Sequence, residues 1–141
     1  HSLSRRQRQM CIRDSLTEVT NEVMALGPYF RAVVDSLDFF LQRDDPARVV
    51  AMVRMLQAHA QMYRGLLFIT VSTDGLSPNI KQELSSIADM VLSFQVRTIG
   101  SDFETSMMVS KFRNAPENLK ILVFRVTPEE GITPETVERI A

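Results

Sequence analysis

An acidic and a hydroxyl side chain end an apolar run of the sequence, in a pattern that suits metal binding. Asp35 and Ser36 come directly after residues 30–34, in which four of five residues are apolar and two are β-branched. Such a run is typical of a strand buried on both faces. Ligands of open parallel sheets bind beyond the carboxyl ends of the strands. A carboxylate at that position is placed to hold a metal ion or its water shell.

A second apolar run, residues 66–71, ends in Ser72 and Thr73. A helix-length segment separates the two runs, which favours a right-handed parallel crossover between them. Ser72 and Thr73 would then emerge at the same sheet edge as Asp35. The alternative is that Asp35 only caps the next helix or turn, since aspartate is a preferred capping residue.

The elements that position these residues alternate between helices and strands. The predicted elements are helices over 16–26, 46–63 and 78–87, and strands over 30–34, 66–71 and 89–96. Asp45 before Pro46, and Ser77 before Pro78, are typical of helix starts. Gly65 suits a left-handed helix end. His59 lies off the apolar stripe of its helix, which predicts a solvated residue rather than a ligand.

The last part of the chain changes character. Strand-like runs over 103–112 and 119–126 follow without a helix-length segment, so we expect antiparallel strands. Residues 129–132 predict a turn into a last short strand or tail, and 133–140 begin like a helix. The sequence therefore predicts an α/β fold, with parallel strands and crossover helices followed by an antiparallel C-terminal meander.

Composition limits the class of protein. A chain of 141 residues with 45% hydrophobic content can form one domain with a real core. No run approaches the roughly 18 apolar residues that a membrane span needs. The single cysteine, Cys11, excludes an internal disulfide framework, and we expect a cytoplasmic location. One cysteine and two histidines argue against a structural zinc site.

Residues 1–15 differ from the rest of the chain in charge. They carry four Arg and one Asp, whereas residues 16–141 carry 12 basic and 16 acidic residues. The segment resembles the translated read-through of a sequencing adaptor, so we expect it to be non-native or disordered. The alternative is a basic anchoring arm. The negative charge of residues 16–141 argues against nucleic-acid binding.

Several stretches together resemble the later half of a RecA-like ATPase domain of the KaiC-like branch. Residues 31–37 are similar to a Walker B strand with the Asp-Ser-Leu that follows it, and 68–73 to the next core strand with its sensor-type polar end. The other similar stretches are 87–92, 110–114, 124–127 and 131–132. Asn114 stands where the Lys-hydrophobic-Arg-Gly element of this branch has Gly. The resemblance covers roughly residues 20–132.

The resemblance implies a role for the residues at the sheet edge. Asp35 would hold Mg²⁺, usually through water, and Ser36 would lie beside it in the cofactor site. Ser72 or Thr73 would sense the γ-phosphate of ATP from the neighbouring strand.

The resemblance also implies a site shared between subunits. Lys111 and Arg113 would reach the nucleotide of an adjacent subunit in a ring, in the manner of an arginine finger. The two residues are two apart, so on a strand both would point to one face. The alternative is a solvated basic pair on an edge strand.

One motif of the resembled domain is absent from this sequence. None of the five glycines belongs to a G-x-x-x-x-G-K-[ST] phosphate loop. We therefore expect residues 16–141 to be the C-terminal part of a longer ATPase domain and to be inactive alone. The alternative is a catalytically inactive RecA-like domain that mediates regulatory or scaffold contacts.

The missing phosphate-loop strand has a structural consequence. In the resembled sheet it lies between the strand over 66–71 and the strand that begins near Asp89. Without it, both neighbours keep backbone groups unpaired, at about 1–3 kcal/mol for each buried group. We expect the isolated chain to be marginally stable or to aggregate, with the third strand closing the gap or splayed away.

Overall fold

The computed structural model describes residues 5–115 and 120–135, with side chains from residue 15 onward. The elements in chain order are α1 Arg5–Met24, β1 Arg31–Val34, α2 Asp38–Leu41, α3 Pro46–Met62, β2 Leu66–Ile69, α4 Pro78–Ile87, β3 Met90–Ile99, β4 Asp102–Phe112, β5 Ile121–Thr127 and β6 Gly131–Glu135. They form two compact units, His1–Ile87 and Ala88–Ala141.

The first unit contains a parallel pair of strands. β1 and β2 pair in parallel, with a register that runs from Arg31 opposite Leu66 to Val34 opposite Ile69. α3 lies between them in sequence and forms the predicted crossover. The carboxyl ends of both strands consequently meet at one edge of the sheet.

α3 begins where its local sequence predicts. The Asp45 carboxylate accepts a hydrogen bond from the Ala47 amide at 3.0 Å, and Pro46 occupies the first turn. Val49 and Leu56, seven residues apart on one helix face, are fully buried. The rest of the first unit's core consists of Leu16, Val23, Phe30, Val34, Leu37, Phe40, Val50, Met52, Val53 and Ile87.

The prediction that the strand over 30–34 is buried on both faces is wrong, and β2 is exposed on one face as well. Val34 is buried, but Val33 is 66% exposed and Phe68 is 53% exposed. Side chains alternate along a strand, and the buried core lies on only one side of this two-stranded sheet. The other side presents an apolar surface, formed by Val33, Leu66 and Phe68.

The turn after α3 differs from the prediction. Arg64, with φ of 53°, takes the left-handed conformation that was expected at Gly65. Glycine is needed at position 65 for another reason, because a Cβ there would overlap the ring of Phe30. Close packing of a distant aromatic ring therefore requires Gly65.

His59 is buried, which contradicts the prediction of a solvated side chain. Its ring stacks on Phe30, with centroids 5.2 Å apart, and lies 4.4 Å from the Tyr63 ring. Its Nε2 lies 3.0 Å from the carbonyl oxygen of Leu26. The segment that enters β1 packs over the end of α3, and helix periodicity alone does not show that contact.

The N-terminal helix extends beyond its predicted length. α1 begins at Arg5, so the predicted helix over 16–26 corresponds to its later part. The expectation of a non-native or disordered segment over 1–15 lies partly outside the described residues, which begin at Arg5.

The second unit is an antiparallel sheet in the order β3-β4-β5-β6, which confirms the predicted meander. Thr133 lies in β6 and pairs with Arg125, so the expected helix does not start at that residue. Residues 136–141, which complete the predicted helix, lie outside the described residues. An ion pair between Arg125 and Glu135 also joins β5 to β6.

One face of this second sheet is apolar in all four strands. We call it the apolar face, and its apolar members are Leu92, Phe94, Val96, Phe103, Met107, Val109, Leu122, Phe124, Val126, Ile132 and Pro134. Phe94, Val96 and Phe103 are each more than 60% exposed. The opposite face is mainly polar in β3, where Gln95 and Arg97 alternate with these apolar residues.

β2 and β3 lie in different sheets. Among the strands that the structure describes, β1 pairs with β2, and β3 pairs with β4. We expected the third strand either to close the gap beside β2 or to be splayed away. β3 does not pair with β2, so the gap is not closed. None of the described helices is long and apolar enough to cross a lipid bilayer.

Candidate functional site at the carboxyl edge of the parallel strands

The parallel register brings Asp35 beside Thr70. Each is the first residue after its strand, and the Thr70 Oγ1 donates a hydrogen bond to Asp35 Oδ1 at 2.6 Å. The Thr70 amide donates to the Val34 carbonyl at 3.1 Å, and the Leu37 amide donates to the Thr70 carbonyl at 3.0 Å. The Asp35 side chain is exposed and lies at the edge of the sheet.

A second carboxylate joins the same two segments. The Ser36 hydroxyl donates to Asp38 Oδ2 at 2.6 Å, and the Ser72 amide lies 3.0 Å and 3.2 Å from the two carboxylate oxygens of Asp38. The Ser36 hydrogen bond, followed by that from Ser72, lowers the pKa of Asp38 below its ordinary value. Both contacts stabilise the ionised form.

The structure brings together the residues predicted at this edge. Asp35 and Ser36 follow β1 and are joined by a cis peptide bond, while Ser72 and Thr73 follow β2. The capping interpretation of Asp35 is wrong, because the N-cap of α2 is Leu37 and no side chain caps it. The functional roles of these residues remain predictions.

Sequence reasoning missed Asp38 and Thr70. Thr70 was included in a predicted strand that ends earlier, at Ile69. The register of the parallel pair, which places the residue after Ile69 beside the residue after Val34, became known only from the structure. Asp38 sits in a mainly apolar stretch, and its partner Ser72 is 34 residues away. No local pattern identifies that partner.

Lys111 and Arg113 belong to the second unit. Lys111 lies in β4 opposite Val91, but β4 ends at Phe112. The prediction that strand alternation directs both side chains to one face is therefore wrong for Arg113. An ion pair of 3.0 Å joins the Arg113 guanidinium to Asp89, and the Arg113 amide donates to the Asp89 carbonyl at 2.9 Å.

The residues at the edge fit magnesium held mainly by water and phosphate. Among the described residues, no group of three or more His, Cys, Asp or Glu side chains could enclose a metal ion. Mg²⁺ keeps several waters and binds one or two carboxylates together with substrate phosphates. An exposed Asp35 carboxylate, oriented by Thr70, suits such a water-mediated contact.

Two solved structures are similar to this chain. The flagellar accessory protein FlaH from Methanocaldococcus jannaschii matches with a TM-score of 0.61 and 19% identity, over 84% of this chain and 54% of that protein. The KaiC-like protein PH0186 from Pyrococcus horikoshii OT3 matches with a TM-score of 0.60 and 18% identity, over 89% and 54%. These matches confirm the RecA-like α/β fold. The chain spans about half the length of these two proteins.

No curated protein matches the sequence. A family model matches residues 3–133, a range that includes most of the segment compared above with a sequencing adaptor. The comparisons therefore give no support to the adaptor interpretation. Because the match covers most of the sequence, the chain belongs to the family of unknown function DUF7125.

Proposed function

We propose that this chain forms the magnesium-binding and phosphate-sensing part of an ATPase domain, and that the natural protein hydrolyses ATP as an oligomer. The observation that carries the proposal is the 2.6 Å hydrogen bond between Thr70 and Asp35 at the carboxyl ends of two parallel strands. This edge is where open α/β sheets bind ligands. The fold shared with a KaiC-like protein adds support.

Each residue of the edge has a distinct task in this proposal. Asp35 accepts hydrogen bonds from water bound to Mg²⁺, and Thr70 holds the carboxylate in the orientation that this requires. Mg²⁺, when bound, neutralises charge on the phosphate oxygens. Ser36 lies beside the metal, and the hydroxyls of Ser72 and Thr73 donate to the terminal phosphate.

The remainder of the site comes from outside these residues. The sequence has no G-x-x-x-x-G-K-[ST] motif, so another segment or subunit supplies the phosphate loop in this proposal. Lys111 and Arg113 act on the nucleotide of an adjacent subunit. Arg113 would exchange its exposed ion pair with Asp89 for the phosphate, and exposed pairs contribute only about 0–1 kcal/mol.

The test is ATP hydrolysis by the natural protein that carries this chain, measured over a range of Mg²⁺ concentrations. We expect Asp35→Asn to lower turnover at least about tenfold, since it removes the charge that holds the metal's water shell. Thr70→Val should raise the Mg²⁺ concentration needed for half-maximal rate, whereas Thr70→Ser keeps the hydroxyl and should not. Glu83→Gln, on an exposed position of α4, is the control. Undiminished turnover in Asp35→Asn would remove Asp35 from the mechanism.

The alternative function is a RecA-like domain that serves regulatory or scaffold contacts without hydrolysing ATP. The missing phosphate-loop motif is the observation that favours it. Binding of ATP and of ADP to the natural protein, measured by calorimetry with Mg²⁺, separates the two functions. A scaffold domain binds neither nucleotide, whereas the ATPase binds ATP in a magnesium-dependent manner.

A further inference from the structure

Asp38 links the two segments that form the edge of the parallel sheet. It is the first residue of α2, and its side chain is half-buried. One of its carboxylate oxygens accepts the Ser36 hydroxyl at 2.6 Å, and both oxygens lie within 3.2 Å of the Ser72 amide. The carboxylate thus bonds both to the segment after β1 and to the segment after β2.

These contacts form a closed arrangement with the Asp35–Thr70 pair. Thr70 bonds to Asp35 through its side chain and to Leu37 through its carbonyl, while Ser72, two residues later, bonds to Asp38. The backbone between Thr70 and Ser72 is therefore held at both ends by residues 35–38. A change at Asp38 releases the Ser72 end and leaves the Thr70 end in place.

The chemistry of the contacts explains why a carboxylate is suited to position 38. An ionised carboxylate only accepts hydrogen bonds, so it can take the hydroxyl and the amide at the same time. Such charge-assisted bonds are shorter and stronger than neutral ones. An asparagine there could still accept the Ser72 amide with its oxygen, but its second group would have to donate to Ser36 rather than accept from it.

We propose that Asp38 is a positioning residue that couples the magnesium segment, Asp35 and Ser36, to the phosphate-sensing segment, Ser72 and Thr73. This inference rests on the ATPase function proposed above. Asp38 contacts neither metal nor nucleotide in this scheme. It holds the Ser72 backbone so that the hydroxyls of Ser72 and Thr73 keep a defined distance from the Asp35 carboxylate. The site then distinguishes a nucleoside triphosphate from a diphosphate.

The experiment uses the natural protein with Asp38→Ala, Asp38→Asn and the control Glu83→Gln. Steady-state ATP hydrolysis gives kcat and KM, competition by ADP gives the preference for triphosphate, and circular dichroism gives the folded fraction. For Asp38→Ala we expect kcat to fall about 10–100-fold, as when an orienting partner is lost, with KM changed less than about threefold. The preference for ATP over ADP should fall by the factor by which the KM for ATP rises, since ADP lacks the terminal phosphate and its own binding should not change. Asp38→Asn should recover part of both losses, because it keeps the Ser72 contact.

The outcomes separate this inference from the function on which it rests. A wild-type protein without ATP turnover overturns both proposals. A wild-type protein that hydrolyses ATP, combined with an Asp38→Ala variant of unchanged kcat and ADP competition, overturns only the positioning role. Should Asp38→Ala fail to fold, the folded Asp38→Asn variant decides. If the Asp38→Asn variant is fully folded and its kcat is reduced, the positioning role is supported. If its kcat and its preference for ATP over ADP are unchanged, the positioning role is overturned.

Discussion

At the scale of single residues, the environment of a side chain decides its role more than its type does. Asp35 and Asp38 are three residues apart, yet one is exposed at the sheet edge and the other is half-buried between two segments. The exposed Asp35 carboxylate is available to a cation, whereas the Asp38 carboxylate accepts hydrogen bonds from Ser36 and Ser72. Gly65 and Gly27 differ in the same way, since only Gly65 faces a neighbouring ring.

We expect Gly65→Ala to destabilise the protein by about 1–3 kcal/mol, the usual cost of overpacking. The added methyl would overlap the ring of Phe30, which stacks on His59 and has little room to move. Gly27→Ala is the matched control, because no atom lies within 4 Å of its added Cβ and its φ is not positive. Urea unfolding of both variants measures the difference. Equal stabilities would show that Phe30 shifts without cost.

At the scale of elements, the two sheets expose apolar surface for different reasons. β1 and β2 have a core on one side only, so Val33 and Phe68 remain exposed. In the second sheet, residues 92–97 of β3 alternate strictly between apolar and polar, and their apolar members lie on the apolar face. Large exposed apolar patches mark interaction sites or aggregation-prone surfaces. Both kinds of surface are consistent with the expected tendency of the isolated chain to aggregate.

Adjacent residues of β3 allow the apolar face to be tested. Val96 lies on that face and is 67% exposed, while Gln95 points to the opposite face. We expect the isolated 141-residue chain to self-associate, and Val96→Glu to reduce this because a charge interrupts the apolar face. Gln95→Glu adds the same charge on the other side and should leave self-association unchanged. Sedimentation at micromolar concentration measures the effect, and a monomeric unmodified chain would contradict the expectation.

At the scale of the whole molecule, the proposed site is divided between subunits. The residues proposed to hold magnesium and to sense the phosphate lie in the first unit, and Lys111 and Arg113 lie in the second. A ring of identical subunits with head-to-tail interfaces would bring the second unit of one copy to the nucleotide of the next. If Lys111 and Arg113 act on the nucleotide of an adjacent subunit, a mixture of subunits with different defects should regain ATP hydrolysis.

Mixing experiments on the natural protein test this arrangement. We expect Asp35→Asn and Arg113→Ala each to lose ATP hydrolysis alone, and a mixture of the two to regain part of it. Some interfaces in the mixture combine an intact Asp35 from one copy with an intact Arg113 from its neighbour. Asp89→Asn controls for loss of the Arg113 ion pair and should retain activity. A mixture no more active than either variant would argue against a shared site.

Local interactions allowed much of the fold to be predicted. Asp45 with Pro46 and Ser77 with Pro78 start α3 and α4 at their predicted positions, because a cap forms within one turn of chain. Apolar runs identified the strands, and the lengths of the connections between them indicated the parallel pair and the antiparallel meander. The position of Asp35 at the end of β1 followed from the same pattern.

The sequence by itself thus determined the order of most elements, the starts of α3 and α4 and the placement of Asp35, since these depend on neighbours in the chain. Only the tertiary structure decided which polar groups meet at the sheet edge and which side chains are buried. The bonds from Thr70 to Asp35, from Ser72 to Asp38 and between His59 and Leu26 join residues 33 to 35 positions apart. Strand register and the packing of α3 bring them together, and neither is encoded in a local pattern.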